Sequence, residues 1–249
     1  MSNLLTMDAE RVGMGDLFTE GNLRAYLAEL IGTMLFVAIG TATWIVVGGP
    51  GAGADAIVAI AIAHGFAYAG MVYMTANISG GHINPAVTLG MMVTRNIKIA
   101  PGLVYMVAQV VGGVVATAVL YLALNNTVGN SVDFGANGIA AGAVDGDGGA
   151  LLLEIVFTLT LVMVFFAVAV SKRGFGHLGP LAIGVTVVAI YFVALPLTGA
   201  SANPARTFGP ALVSNAFDSF WVYVLGPAIG GMLGALIYYL GFFSKDERD

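Results

Sequence analysis

Charged residues and cysteine are scarce in this sequence. Asp, Glu, Lys and Arg make up 9% of the 249 residues, whereas an average soluble domain has about 25%. A chain with so little charge and 58% hydrophobic residues is not expected to fold in water. The absence of cysteine excludes disulfides, zinc-thiolate sites and cysteine nucleophiles. The nine basic residues form no cluster, so a nucleic-acid partner is not expected.

Long apolar runs are abundant instead. Five runs contain no charge and a sixth is interrupted only by Glu154; they cover residues 30–47, 56–77, 99–124, 150–170, 178–197 and 220–243. Each is long enough for a helix to cross a bilayer, which takes roughly 20 residues. Their continuous apolarity favours helices over the alternating strands of an outer-membrane barrel. We therefore predict an all-α polytopic membrane protein with six transmembrane helices.

The basic residues indicate how the spans are oriented. All but Arg206 fall on one side of the membrane: Arg11, Arg24, Arg95, Lys98, Lys172, Arg173, Lys245 and Arg248. The opposite loops contain aspartates but no Lys or Arg, so the positive-inside rule predicts that both termini are cytoplasmic. We predict cytoplasmic tails at 1–22 and 244–249, an extracytoplasmic loop at 125–149, and a cell-membrane location.

Two short segments outside the spans match each other. Residues 79–90 read SGGHINPAVTLG and residues 198–209 read TGASANPARTFG. Asparagine is a good helix cap and proline suits the first helical position, so we predict half-membrane helices at 84–94 and 203–213. The chain then has two repeats, 23–124 and 150–243, each with three spans and one half-helix. An odd number of spans inverts the second repeat in the membrane.

The paired Asn-Pro-Ala motifs, the string SGGHINPAVT at 79–88, the string NPARTFGP at 203–210 and the six spans resemble the aquaporin (major intrinsic protein) family. The resemblance covers about residues 24–243, and residues 63–89 look most like plant tonoplast-type members. It implies a passive water channel that excludes protons and ions, with a homotetrameric assembly in the lipid bilayer. It also implies an aromatic/arginine filter at positions corresponding to His64, Tyr191, Ala200 and Arg206.

Helix geometry independently places three of these residues at a similar depth. At a rise of 1.5 Å per residue, His64 and Tyr191 lie roughly 13 Å and 12 Å below the outer edge of the membrane, and Arg206 roughly 10 Å. We expect the amides of Asn84 and Asn203 to point into the lumen, where the two helix N-termini repel cations. His64 could instead be a packed histidine, and Tyr191 a core or lipid-facing aromatic.

Other residues are expected to support the structure. Glu29 and Glu154 lie near helix starts, a favourable position for an acid; the resemblance implies that they accept hydrogen bonds from the re-entrant backbone. Pro85, Ala86, Pro204 and Ala205 complete the two motifs. Gly226, Gly230 and Gly234 form a small-residue face for helix packing. His82 is assigned to the inner mouth or its scaffold, and His177 to a solvated loop rather than a pH gate.

The solute is less sharply indicated than the channel. Thr207, Ala211 and Tyr223 resemble the pattern of water channels, whereas Val224 stands where tryptophan is usual. His64 opposite the small Ala200 leaves ammonia, hydrogen peroxide and glycerol as alternatives. A coupled secondary transporter also uses inverted repeats, but would need an acid near the midplane. No enzyme motif is present, and neither a cofactor nor a metal is expected.

Overall fold

The computed structural model describes residues 17–124 and 126–248. Most of the predicted N-terminal tail, including Arg11, lies outside these residues, as does Asn125 at the start of the predicted connecting loop. In the described chain, six helices are long and apolar enough to cross a membrane. They are α1 Glu20–Val47, α2 Ala54–Ser79, α4 Ile99–Ala123, α6 Gly146–Phe165, α7 Gly179–Thr198 and α9 Val222–Gly241.

Two shorter helices, α3 Pro85–Val93 and α8 Pro204–Ser214, follow the Asn-Pro motifs. Two further short helices are α5 Asn126–Asn130 and α10 Lys245–Arg248. Helix α6 continues as a π turn over Phe166–Val170. The described chain therefore has the predicted fold class, with six spanning helices and two half-helices in an inverted repeat.

Several boundaries differ from the sequence prediction. Helix α1 begins at Glu20, ahead of the apolar run, because Thr19 caps it by accepting a hydrogen bond from the backbone N–H of Asn22 (3.3 Å). Helices α3 and α8 begin one residue after their asparagines, since the cap itself lies outside the helix. The segment expected to be a connecting loop holds α5 and a 3₁₀ turn, Asp133–Gly135, and the first turn of α6 begins within it.

Glycine allows the two repeats to meet along α2 and α7. A Cβ atom built on Gly65 would lie 2.5 Å from the carbonyl oxygen of Gly184, and a Cβ on Gly184 would lie even closer to the oxygen of Gly65. Such separations are shorter than any real Cβ contact. The two helices therefore cross with backbone against backbone, and each repeat contributes the same residue type at the crossing.

A second pair of glycines seats the half-helices. Gly113 of α4 lies against the carbonyl of Ala205 at the start of α8, and Gly231 of α9 lies against the carbonyl of Ala86 at the start of α3. Each half-helix is therefore packed on a spanning helix of the other repeat. This exchange places the two helix N-termini side by side in the centre of the molecule.

Small residues also join α6 to α9. Cβ atoms at Gly230 and Gly234 would meet the carbonyl oxygens of Ile155 and Leu159, and one at Gly226 would meet the side chain of Glu154. This contact confirms that the glycines at every fourth position of α9 serve close helix packing.

Candidate functional site

Asn84 and Asn203 each make two kinds of hydrogen bond. One caps the half-helix that follows, and the other reaches the residue that precedes the asparagine of the opposite repeat. Asn84 Oδ1 accepts from the N–H of Ala86 (2.8 Å), and Asn203 Oδ1 accepts from the N–H of Ala205 (3.0 Å). Each Nδ2 atom donates across the repeat, from Asn84 to the carbonyl of Ala202 (2.8 Å) and from Asn203 to the carbonyl of Ile83 (3.0 Å). An amide nitrogen carries two hydrogens, so each asparagine has one further N–H to offer.

The reciprocal contact depends on an unusual backbone conformation. Ile83 and Ala202, the residues before the two asparagines, have φ angles of 43° and 47°. Positive φ in a β-branched residue such as isoleucine is a genuine outlier. Here it occurs at the residues whose carbonyls accept from the opposite asparagine, so the strain is located where the two repeats join.

Two buried carboxylates hold these strained turns. Glu29 accepts from the N–H groups of His82 (3.0 Å) and Ile83 (2.6 Å), and also from the side chains of Ser79 and Gln109. Glu154 accepts from the N–H groups of Ser201 (3.1 Å) and Ala202 (2.8 Å) and from the hydroxyl of Thr198. Neither side chain is solvent-exposed. A buried charge requires such partners, and both acids accept hydrogen bonds from the backbone of the re-entrant turns.

A narrow cavity lies next to the asparagine pair. It is lined by both asparagines and by apolar and aromatic side chains from four spanning helices: Phe36, Tyr68, Leu161, Val187, Ile190 and Tyr191. Its volume is about 10 Å³, close to what a single water molecule needs. Ser201 and Ala202 of the second turn complete the lining, so the two amides lie in a mainly apolar wall.

His64 and Tyr191 form a second polar level. Their ring centroids lie 4.4 Å apart, and Phe36 packs edge-on against the histidine at 5.8 Å. His64 Nδ1 lies 2.9 Å from the carbonyl oxygen of Ile60. Because a carbonyl only accepts, we assign the hydrogen of neutral His64 to Nδ1, which leaves Nε2 as an acceptor.

Arg206 interacts electrostatically with His64 and with Tyr191. It is fully buried. Its Nη1 atom donates to the carbonyl of Gly135 (2.9 Å) and to Oδ1 of Asn137 (2.7 Å), and its guanidinium lies 5.3 Å from the ring centroid of Trp44. The Nε and Nη2 atoms of Arg206 are buried without a hydrogen-bond partner in the described chain, as are His64 Nε2 and the Tyr191 hydroxyl. Unpaired buried polar atoms at one site point to a path for polar molecules, because such atoms are costly without partners.

The remaining predicted residues lie in the turns and helix starts around the two motifs. Ala200 is buried in the turn between α7 and α8, with φ at 56°, and its N–H faces the Thr198 hydroxyl at 3.4 Å. Pro85 and Pro204 occupy the first positions of their helices. His82 is buried, with Nδ1 3.1 Å from the hydroxyl of Thr88.

Asn137 is a site residue that sequence reasoning did not single out. Its Oδ1 atom accepts from both Arg206 and Thr207, while its Nδ2 donates to the carbonyl of Gly199 (2.7 Å). It belongs to the loop after α5, far from both motifs in the sequence. No sequence motif marks it; in the structure the run Asp133-Phe134-Gly135, all with positive φ, turns the Gly135 carbonyl toward Arg206.

In the described chain, no group of three His, Cys, Asp or Glu side chains converges as metal ligands would. His177 is exposed in the loop between α6 and α7, and its carbonyl accepts from the hydroxyl of Tyr73 (2.6 Å). The polar centre of the molecule therefore consists of amides, a guanidinium, aromatic rings and two engaged carboxylates.

Comparisons with known proteins agree with this architecture. Residues 17–238 match the model of the family described as major intrinsic protein. Among curated relatives, "Probable aquaporin TIP2-2" of Arabidopsis thaliana is 43% identical over 233 residues, 90% of each chain. "Aquaporin TIP2-1" of the same plant is 40% identical over 239 residues, 94% of this chain and 93% of the relative. Among solved structures, the aquaglyceroporin from Plasmodium falciparum has a TM-score of 0.76 at 22% identity, covering 87% of this chain and 95% of that one. The chain is therefore a multi-pass membrane protein that belongs to the major intrinsic protein family.

Proposed function

We propose that this chain is a passive water channel that excludes protons and ions. The observation that carries the proposal is that Asn84 and Asn203 each donate to a backbone carbonyl of the opposite repeat beside a cavity the size of one water molecule. With one N–H of each amide engaged across the repeat, the second can donate to a passing water oxygen. A water held by two donors turns its own hydrogens away from the junction, which interrupts a chain of hydrogen-bonded waters.

The outer level suits the same solute. A water at the constriction can accept from Nε or Nη2 of Arg206 and donate to Nε2 of His64, atoms that have no partner in the described chain. These contacts replace part of the hydration that the water loses on entry. The charge of Arg206 and the positive ends of α3 and α8 repel cations and protons.

Other solutes remain secondary to water in this proposal. The ring of Tyr191, packed on His64, narrows the level that glycerol would have to pass. Ammonia and hydrogen peroxide are small enough to be tested alongside water. A coupled transporter is disfavoured because Glu29 and Glu154 are occupied by hydrogen bonds to the re-entrant turns. Because it belongs to the major intrinsic protein family, the chain is proposed to be a channel and not an enzyme.

The cellular arrangement is also a proposal. The distribution of basic residues supports cytoplasmic termini, and we propose the cell membrane as the location. The family resemblance supports a homotetramer in the lipid bilayer, a state that mass measurement in detergent can test.

Stopped-flow light scattering tests the channel directly. Proteoliposomes containing the full chain should shrink faster than empty vesicles in a sucrose gradient, with a low activation energy. Parallel gradients of glycerol and ammonium, and a peroxide-sensitive dye inside the vesicles, rank the alternative solutes. Water permeability equal to that of empty vesicles would overturn the proposal. Uptake driven only by an ion gradient would favour the transporter.

A further inference from the structure

Gly40 of α1 lies directly behind the ring of His64. A Cβ atom built on Gly40 would be 2.6 Å from Cε1 of His64 and closer still to its Nε2 and Cδ2 atoms. All three are ring atoms, and separations below 3.0 Å are essentially never seen for a real Cβ. The ring therefore occupies the space that any other residue at position 40 would need.

Gly40 is part of a regular face of α1. Phe36, Gly40 and Trp44 follow each other at intervals of four residues, so they lie one above another on the helix. Phe36 packs edge-on against His64 at 5.8 Å, and Trp44 lies 5.3 Å from the guanidinium carbon of Arg206. All three residues of this face lie against a residue of the constriction. Phe36 and Trp44 present aromatic rings there, whereas Gly40 between them has no side chain.

The other sides of the His64 ring are already occupied. Nδ1 is tied to the carbonyl of Ile60 at 2.9 Å, Phe36 closes one side, and the ring of Tyr191 lies at 4.4 Å. A ring pushed away from position 40 would have to move toward Tyr191 and the path that the two side chains border. The His64 side chain is completely buried, so a displaced ring cannot move out to the protein surface.

We propose that Gly40 is a positioning residue for the constriction: by lacking a side chain it houses the His64 ring and thereby sets the width of the water path. This inference rests on the proposed water channel and on the role of His64 within it. Gly40 makes no contact with the permeating water in this proposal and acts only through the ring.

Permeability measurements on Gly40→Ala, His64→Ala and the double variant test the proposal. We expect a several-fold drop in water permeability per channel for Gly40→Ala. In the His64→Ala background, adding Gly40→Ala should change the permeability little, because the ring that it displaces is gone. Gly102→Ala is the control for overpacking, since a Cβ there comes too close only to the flexible side chain of Met92, while Ile97 lies at an ordinary contact distance of 3.6 Å. This variant should conduct as the unmodified chain does.

Each outcome bears on the inference. If the unmodified chain conducts water but Gly40→Ala does so equally well, Gly40 does not set the width. An equal loss with and without the His64 ring would show that the methyl acts on α1 packing instead, which also overturns the idea. If Gly40→Ala does not accumulate in the membrane, the double variant decides the question. A double variant that accumulates and conducts water supports the idea that position 40 and the His64 ring share one space. A double variant that neither accumulates nor conducts contradicts it. An unmodified chain that conducts no water would instead defeat the proposed function.

Discussion

Oδ1 of Asn137 lies 2.7 Å from Nη1 of Arg206 and 2.8 Å from the hydroxyl of Thr207. One amide oxygen from the loop after α5 therefore fixes two adjacent residues at the start of α8. The same side chain donates to Gly199, which lies before the second motif. The loop after α5 thus positions the arginine of the site.

Replacing Asn137 with alanine should disturb this arrangement. A hydrogen bond to a charged group contributes about 1.5–3 kcal/mol, and its loss leaves Nη1 bound only to the carbonyl of Gly135. We expect the guanidinium to move toward the water path and the water permeability to fall. Stopped-flow measurements on Asn137→Ala test this, with Asn130→Ala, an exposed position at the end of α5, as control. Unchanged permeability in both variants would show that Gly135 suffices to hold the arginine.

Arg206→Ala should weaken ion exclusion while water continues to pass. The substitution removes a full buried positive charge from the constriction, so the electrostatic barrier to cations is lowered. A pH-sensitive dye inside proteoliposomes would report faster proton entry, and light scattering would report water flow. Arg24→Ala is the matched control, because Arg24 is 72% exposed and pairs with Glu20. Proton entry as slow as in the unmodified channel would assign exclusion to the asparagine pair instead.

Glu29→Gln and Glu154→Gln should both lower thermal stability, and the first should lower it more. Glu29 accepts from four donors and Glu154 from three. An amide has one oxygen in place of two, and turns an N–H toward backbone donors, so about 1.5–3 kcal/mol is lost for each charged hydrogen bond removed. Thermal unfolding in detergent measures the difference, with Glu20→Gln as an exposed control. The reverse order of the two variants would contradict the donor count.

Tyr191→Ala should admit glycerol. Removing the ring that lies 4.4 Å from His64 widens the constriction, and it also enlarges the cavity beside the asparagine pair that Tyr191 helps to line. Glycerol gradients in the stopped-flow assay should show faster re-swelling than for the unmodified chain. The neighbouring Phe192, 40% exposed, supplies the control Phe192→Ala. Glycerol exclusion that survives in Tyr191→Ala would show that the barrier lies elsewhere.

The C-terminal helix α10 gives a pH prediction outside the membrane. Glu247 accepts from the hydroxyl of Ser171 at 2.7 Å, and this hydrogen bond, with those from Ser244 and the charge of Arg173, lowers its pKa to about 2. A carboxylate with a lowered pKa stabilises the folded form above its unfolded pKa, and the effect is lost as the pH falls through the folded value. Docking of α10 should therefore be constant near neutral pH and weaken progressively as the pH falls from the ordinary glutamate pKa of 4.5 to about 2.

Amide exchange of residues 171–178, expressed as protection relative to intrinsic rates, measures this docking. Glu247→Gln should reduce protection already at neutral pH. Asp246→Asn is the control, because its backbone carbonyl and not its carboxylate accepts from Lys172. Loss of protection between pH 7 and 5 in the unmodified chain would rule out Glu247 as the group responsible.

Much of the fold could be predicted from the sequence because its signals are local. Apolar runs of membrane length indicate spanning helices, and Asn-Pro fixes where α3 and α8 begin. The matching segments around Asn84 and Asn203 indicate an inverted repeat, since each half has an odd number of spans. These patterns need only the length and polarity of neighbouring residues. They do not reveal that α1 extends back to Glu20, since its first turns are polar and are held by the Thr19 cap.

The contacts that shape the site were decided only by the tertiary structure. The crossed hydrogen bonds from Asn84 to Ala202 and from Asn203 to Ile83 join residues more than a hundred positions apart. Asn137 reaches Arg206 from a loop with no recognisable motif, and Gly40 matters because the ring of His64 fills the space beside it. The sequence determined which helices form and where they are capped, since these depend on local polarity and backbone preference. Which side chains share one buried space depended on how the helices pack, and that is a property of the whole fold.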